Sequence, residues 1–237
     1  MKALLRSFAL FICQIWKDSM LIAVAAAPIL AACFFRFGIP PIERILCGYF
    51  GRSPILTPYY LLFDLLLTII TPYMFCFASS MVMLTEYDEN LSGYLSVTPV
   101  EKRGYVVSRL VFPAILSLFA SLLLVHFFSL TAWTWGMLLI VCLLSSLLSI
   151  SISLLLFSFS HNRIEGMAMA KLSGLLMLGL PVPFFLPANA QYLFSPLPSF
   201  WIAKLALEPN GLFLPPAIIS LFLWLGLPYR KFKKKLG

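Results

Sequence analysis

Charged residues are scarce in this sequence. Asp, Glu, Lys and Arg make up 11% of the 237 residues, whereas 61% are hydrophobic and the mean hydropathy is +0.97. A soluble domain carries about 25% charged residues, because its surface faces water. Burying so much apolar side chain in one soluble core would leave large apolar patches exposed. The shortage of charge therefore excludes an ordinary soluble domain and favours a protein embedded in lipid.

Motifs of enzymes and metal sites are also missing. The five cysteines show no CxxC spacing and mostly lie in apolar runs, where cysteine behaves as a small hydrophobic residue. The sequence contains no HExxH, no paired intramembrane carboxylates and no G-x-x-x-x-G-K-[ST]. These absences argue against a membrane-embedded hydrolase or transferase, a metal centre and a nucleotide site. We therefore expect no catalytic residues, no metal and no cofactor in this chain.

Long apolar runs are what the sequence does contain. A membrane crossing needs about 20 apolar residues. Six such runs lie at about 19–36, 58–84, 105–128, 133–159, 167–187 and 212–228. We expect a loop with Pro40 and Pro41 after the first run and a proline-rich fifth run. The fold predicted is all-α: a polytopic membrane protein with six transmembrane helices, forming one transmembrane domain over residues 1–237.

Residues 1–18 are predicted to form an amphipathic helix at the membrane surface. Its apolar residues share one side at 100° per residue, with Leu10 as the exception. They are Leu4, Leu5, Phe8, Phe11, Ile12, Ile15 and Trp16. The alternative is a frayed extension of the first crossing.

The basic residues predict the topology. If the N-terminus is cytoplasmic, all but four of the 17 lysines and arginines fall on the cytoplasmic side. The four exceptions are Arg36, Arg44, Arg52 and Lys204. We therefore expect both termini in the cytoplasm, a location in the cell (cytoplasmic) membrane, and the RKFKKKLG end on anionic headgroups. The net charge of +8 thus indicates membrane lipids as partners and no nucleic acid.

The polar segment 86–104, between the second and third runs, is the most informative part of the chain. It has an acidic start, apolar residues at helical spacing, and a Thr-Pro pair that begins a capping box ending at Glu101. The residues concerned are Glu86, Asp88, Glu89, Leu91, Tyr94, Leu95, Thr98 and Pro99. They predict a short helix with one apolar face that a soluble partner can bind, with an ordinary capped loop as the alternative.

This segment resembles the signature of type 2 ABC transporter permeases. The resemblance rests on the run EYDENL from Glu86, the SVTP ending at Pro99, and the later Tyr105 and Ser108-Arg109. The particular form is similar to short permease subunits of drug exporters, including the fluoroquinolone-export type. The amphipathic N-terminal helix, the six runs and an irregular segment between the last two extend the resemblance over nearly the whole chain.

The resemblance implies a permease subunit of an ATP-driven ABC exporter that moves a drug-like, lipid or peptide substrate outward. Residues 1–18 would be the connecting helix, 86–104 the cytoplasmic loop with the ATPase-coupling helix, and 188–211 an extracellular re-entrant segment. Such permeases act as homodimers or with a sister subunit, together with two copies of a cytoplasmic ABC ATPase. ATP and Mg would be bound by that ATPase, so this chain itself is expected not to be an enzyme.

Polar residues and prolines within the runs are candidates for a translocation path, because each needs a partner or a wet cavity. They are Asp64, Thr68, Thr71, Pro181 and Asn189. For Asp64 the alternative is a carboxylate hydrated at the interface or bonded to a neighbouring helix, and for Pro181 it is simply the end of a crossing. If Asp64 and His126 carried protons or cations, the chain would instead be an ion-coupled secondary transporter or channel.

Overall fold

The structure, a computed structural model, describes residues 2–51, 54–89 and 101–235. Every regular element in this part of the chain is helical, which confirms the all-α prediction. The α-helices are α1 Lys2–Lys17, α2 Ser19–Cys33, α3 Ile39–Phe50, α4 Tyr60–Asp88, α5 Glu101–Val106, α6 Phe112–Phe128, α7 Trp135–Phe159, α8 Arg163–Ser173, α9 Val182–Phe185, α10 Ala188–Gln191, α11 Pro198–Leu207 and α12 Leu214–Lys235.

Within the described residues, five helical stretches are long and apolar enough to cross a membrane. They are Ser19–Phe50, Thr57–Asp88, Gly104–Phe128, Trp135–Phe159 and Gly211–Lys235. Five of the six predicted crossings therefore have a continuous helical counterpart. The fifth run, at 167–187, does not.

The expected loop around Pro40 and Pro41 is wrong. Helix α2 passes through a π-helical turn, Phe34–Gly38, directly into α3. The two prolines closely follow the π-helical turn, at a place where the hydrogen-bond pattern of the continuous helix is already irregular, and their fixed φ suits a helix. The chain turns only at Gly51, whose φ of 61° is the left-handed conformation that ends many helices.

The fifth run is divided into short pieces. Helix α8 is followed by a 3₁₀ stretch, Gly174–Gly179, and then by the single turn α9. Pro181 and Pro183 lie at this interruption and remove backbone donors that a continuous helix needs. Among the described residues the structure thus supports five of the six predicted transmembrane helices, and the count of six is not confirmed.

Segment 163–185 nevertheless runs beside α4 along most of its length. Gly166 lies against Leu84 near the end of α4, and the Tyr73 hydroxyl donates to the Ala170 carbonyl at 3.1 Å in the middle. At the start of α4, the Phe185 ring stacks on Tyr59 with centroids 5.0 Å apart. The segment is thus antiparallel to α4 and reaches from one end of the bundle to the other.

Helix α7 lies at the centre of the bundle and packs against α4, α6 and α12. Its serines 145, 146, 149, 151 and 153 are all buried. The hydroxyls of Ser153 and Ser80 lie 2.7 Å apart, and Ser146 donates to the Ala114 carbonyl at 3.1 Å. Such small residues let helices approach closely without a large side chain between them.

Helix α11 packs into the bundle against the 3₁₀ stretch, α7 and α12. The closest approach is at Gly179, where an added Cβ would come within 2.5 Å of the Phe200 backbone nitrogen. The Ser199 hydroxyl also donates to the Leu176 carbonyl there. Only a residue without a side chain fits at Gly179.

We expect Gly179→Ala to destabilise the protein by about 1–3 kcal/mol, because the clash is with backbone that cannot rotate away. The matched control is Gly174→Ala in the same 3₁₀ stretch, where a Cβ meets no atom within 4 Å. Unfolding of both variants in detergent micelles, followed by circular dichroism, checks this. Equal stability of the two variants would contradict the close approach of α11.

Candidate functional site at the polar end of the bundle

Charged side chains from several helices meet at one end of the bundle, which we call the polar end. The α1–α2 junction, the ends of α4, α7 and α12, and the start of α8 all lie there. Its defining residues are Asp18, Glu86, Asp88, Arg109, Arg163 and Lys235. The predicted coupling loop leaves and re-enters the bundle at this end.

A buried ion pair joins α4 to the next crossing. Arg109 donates to Glu86 from Nη2 to Oε1 at 2.5 Å and from Nε to Oε2 at 3.1 Å, and both side chains are only 2% exposed. The Tyr105 hydroxyl donates to the same Oε2 at 3.0 Å. Both carboxylate oxygens of Glu86 therefore accept charge-assisted hydrogen bonds from Arg109 in a bidentate arrangement. We call Glu86, Tyr105 and Arg109 the clamp.

The clamp also contacts the N-terminal helix. The guanidinium of Arg109 lies 5.3 Å from the centre of the Phe11 ring, and Phe11 is buried. Arg109 itself is part of a π-helical turn, Val107–Val111, and the Ser79 hydroxyl donates to its carbonyl. Single π turns inside α-helices occur frequently at functional sites. One arginine thus connects α1, α4 and the third crossing.

The clamp brackets the predicted coupling helix. Glu86 lies just before segment 90–100, and Tyr105 and Arg109 lie just after it. Of the predicted coupling residues, Leu91, Tyr94, Leu95, Thr98 and Pro99 lie outside the described residues. Asp88 and Glu89 are exposed at the end of α4, as a docking surface requires, but Glu86 points inward and its carboxylate is occupied by the clamp.

A second ion pair ties the start of α8 to the α1–α2 junction. Arg163 Nη2 lies 2.5 Å from Asp18 Oδ2, and Asp18 also caps α2 by accepting from the backbone of Met20 and Leu21. Burial raises the pKa of the Asp18 carboxyl, but the hydrogen bond and charge of Arg163 and the two backbone N–H groups outweigh it and lower the pKa. The stability that this carboxylate contributes is therefore complete above its ordinary pKa and is lost as the pH falls through the lowered value.

Lys235 closes the polar end from the side of α12. Its Nζ donates to the Phe157 carbonyl at 2.7 Å and to the Ser160 carbonyl, so it caps the end of α7. The same ammonium lies 4.3 Å from the centre of the Tyr87 ring. The last described residues are thereby fixed next to the end of α4.

The predicted path residues of α4 have internal partners. Asp64, 1% exposed, accepts from the backbone N–H groups of Leu130 and Thr131 at 2.8 and 2.9 Å, from the Thr131 hydroxyl, and from the Trp133 indole at 3.1 Å. These partners lie in the turn between α6 and α7, so the carboxylate is bonded to loop residues and not to a neighbouring helix, which was the alternative raised from the sequence. The Thr68 and Thr71 hydroxyls are buried and bonded to carbonyls of their own helix. Their role in a path stays a prediction.

The other two path residues lie at the end of the bundle opposite to the polar end. Pro181 is half-buried at the interruption before α9, and Asn189 is exposed in α10. Both lie near the end of the broken segment. Among the described residues, no hydrogen bond joins either of them to Asp64, Thr68 or Thr71. Lys204 is buried nearby, with its Nζ 3.2 Å from the Tyr192 hydroxyl and 4.5 Å from that ring. This burial was not predicted from the sequence.

An apolar cavity of about 350 Å³ lies between α1, α2, α4 and α6. Phe11 of the clamp region, Phe75 and Pro113 are among its lining residues. The lining is almost wholly hydrophobic, which suits an acyl chain or a flat apolar molecule.

Comparison with protein-family models identifies the family of this chain. A model of the family described as "Fluoroquinolones export permease protein Rv2686c-like" matches residues 11–230. The chain belongs to this family. The match includes the clamp and all of the crossings except the last residues of α12, and Lys235 of the polar end lies beyond it. The permease resemblance seen in the sequence is confirmed at the level of this family.

Two curated relatives carry the same description. They are the "Fluoroquinolones export permease protein Rv2686c" of Mycobacterium tuberculosis strain ATCC 25618 / H37Rv and the corresponding protein MT2760 of strain CDC 1551 / Oshkosh. Each is 25% identical to this chain over 194 residues, which are 80% of this chain and 75% of the relative. Together with its apolar helices, this family membership makes the chain a multi-pass protein of the cell membrane.

The clamp was not predicted from the sequence, although all three of its residues belong to motifs noted there. Arg109 belongs to the motif that carried the permease resemblance, and Glu86 was among the predicted coupling residues. The available signal was one basic and one acidic residue at the two ends of a capped loop, each next to an apolar run. Two charges placed so close to lipid need each other as partners.

We expect Arg109→Met to destabilise the protein by about 3–5 kcal/mol, because it leaves the Glu86 carboxylate buried without a counter-charge. The double variant Glu86→Met with Arg109→Met should recover most of that loss, since no charge is then buried alone. Denaturant titration in micelles checks both variants.

The control for this prediction is Asp18→Asn, which breaks the more exposed pair with Arg163 and should cost about 1 kcal/mol or less. A double variant as unstable as Arg109→Met would show that packing of the side chains, and not charge pairing, dominates at the clamp.

Proposed function

We propose that this chain is the membrane-spanning permease of an ATP-driven ABC drug exporter, working with a separate cytoplasmic ATPase. The observation that carries the proposal is the clamp at the base of segment 90–100. A loop that receives force from a soluble partner must be fixed at both ends, or the force is lost in loop movement. Glu86 and Arg109 fix both ends and connect them to two crossings and to α1.

In this proposal, residues 88–97 form the coupling helix and α1 is the connecting helix beside it. Asp88 and Glu89, which are exposed, contact the ATPase directly together with Leu91, Tyr94, Leu95, Thr98 and Pro99. Glu86 acts indirectly, since its carboxylate belongs to the clamp. Closure of the ATPase dimer on ATP would then move α4 and the third crossing as one unit.

The proposed topology has six crossings, with the polar end in the cytoplasm. Five crossings are the continuous helices, and the sixth is the broken segment 163–185, which lies antiparallel to α4. The many basic residues at the polar end support this orientation. Segment 188–211 then lies on the outer side, where α11 re-enters the bundle.

The proposed substrate is a drug-like amphiphile, with lipids and peptides as further candidates, and it moves outward. The relatives in M. tuberculosis are named for fluoroquinolone export, which favours the first class. The proposed transporter contains two ATPases, which bind ATP and Mg, and a second permease, either another copy or a sister subunit. An ion-coupled transporter is less favoured, because the oxygens of Asp64 already accept from four donors.

We expect Glu89→Arg to lower the amount of ATPase that co-purifies with the permease by roughly tenfold or more, because it reverses charge in the docking surface. Leu91→Arg and Leu95→Arg should act in the same direction. The measurement is affinity purification after co-expression with candidate ABC ATPases from the same genome, together with fluoroquinolone accumulation in the same cells.

The matched control is Glu208→Arg, which makes the same charge change at an exposed residue of the opposite end. This variant should retain the ATPase. Undiminished ATPase in all three coupling variants would contradict the docking role, and accumulation unaffected by loss of the ATPase would contradict ATP-driven export.

The topology is tested with single cysteines in a variant lacking the five natural ones. A membrane-impermeant maleimide should label Ser96→Cys only in inverted vesicles and Asn210→Cys only in intact cells. Labelling of Ser96→Cys from outside the cell would overturn the proposed orientation and, with it, the coupling role of segment 90–100.

A further inference from the structure

A second cavity, of about 310 Å³, opens at the polar end and is lined by basic residues. Lys231, Lys234 and Lys235 of α12 form one side of it. Their spacing of three and four residues places them on one face of the helix. The other side consists of Tyr87 and the end of α7, including Phe159.

Only one of the three lysines has an evident structural role. Lys235 caps the end of α7 by donating to two carbonyls. The carboxylates of Asp88 and Glu165 also attract its ammonium electrostatically. Lys231 lies 4.0 Å above the Phe159 ring, with no carboxylate in salt-bridge range within the described residues. For Lys234, the described part of the chain provides no hydrogen-bond, ion-pair or ring partner. Within the described residues, Lys231 and Lys234 therefore have no carboxylate in salt-bridge range.

The remaining lining residues suit a phosphate group. His161 is exposed at the rim, and the Ser158 hydroxyl lies in the wall, where it donates to the Pro228 carbonyl at 3.2 Å. Among the described residues no carboxylate lines the cavity; Glu165 lies next to it and accepts from the His161 backbone N–H at 2.7 Å. Beside it, the Ser160 hydroxyl is buried without a hydrogen-bond partner among the described residues.

The position of the cavity favours a lipid over a soluble anion. It lies where an apolar crossing ends, so its lysines stand at the depth of the headgroups. Phe232, between the lysines in sequence, is buried and packs edge-on against Phe157 with ring centroids 5.5 Å apart. This contact fixes the last turns of α12 against α7 and keeps the basic face in a defined place.

We propose that Lys231 and Lys234, with His161 at the rim, form a binding site for the phosphate group of an anionic membrane lipid. The ligand class is an acidic phospholipid such as phosphatidylglycerol, held at the surface of the leaflet next to the coupling loop. Because Tyr87 lines the same cavity, the bound headgroup contacts α4 immediately before segment 90–100.

The test uses the purified full-length chain in detergent micelles, titrated separately with phosphatidylglycerol, phosphatidylcholine and inorganic phosphate. Bound lipid is counted by native mass spectrometry, and the unfolding midpoint is measured alongside. We expect phosphatidylglycerol to bind and to raise the midpoint, and phosphatidylcholine and inorganic phosphate to do neither. The double variant Lys231→Gln with Lys234→Gln should weaken phosphatidylglycerol binding by about fivefold for each lysine removed.

The matched control is Arg230→Gln with Lys233→Gln, which removes the same charge from the same helix outside the cavity. Binding should be little changed in this control. Equal losses of phosphatidylglycerol binding in the two double variants would contradict a defined site. They would indicate diffuse electrostatic attraction between the lipid and the basic tail. Equal binding of phosphatidylcholine, or of inorganic phosphate, would overturn the acidic-lipid assignment, whether or not the chain exports drugs.

Discussion

Two opposite charges, buried where a long apolar helix ends, constrain the rest of this protein. Separating Glu86 from Arg109 would leave each charge in a medium of low dielectric constant, which costs far more than their attraction in water is worth. The two crossings that carry them must therefore stay together at this level. Phe11 covers the guanidinium, so the N-terminal helix is held to the same point. The described residues before and after segment 90–100 are therefore held together.

The opposite end of α4 is stabilised by carboxylates in another way. Asp64 and Glu43 pair with no described base; they accept hydrogen bonds from the backbone of chain turns. Glu43 receives the N–H groups of Ile55 and Leu56 at 2.9 and 2.6 Å, just before the chain enters α4. Both ends of α4 are thus anchored by acids, one end to a guanidinium and the other to loop backbone.

Much of the fold could be predicted because lipid imposes a simple rule: a crossing needs a long apolar run. The rule failed at two places where local backbone conformation, and not hydropathy, determines whether a helix continues. Pro40 and Pro41 were predicted to lie in a loop, yet they follow a π-helical turn inside a continuous helix. The run at 167–187 is apolar enough to cross, but composition does not show that it breaks at Gly174–Gly179. The inward direction of Glu86 depended on a partner 23 residues away.

The junction of α2 with α3 has a consequence for the surrounding bilayer. The continuous stretch Ser19–Phe50 has 32 residues and would be about 48 Å long if straight, whereas the hydrocarbon layer is about 30 Å thick. Since the stretch starts at the polar end, α3 extends into the headgroup region of the opposite leaflet, with Tyr49 83% exposed. A thicker bilayer covers more of α3 and a thinner one covers less, so this helix makes the protein responsive to hydrophobic mismatch.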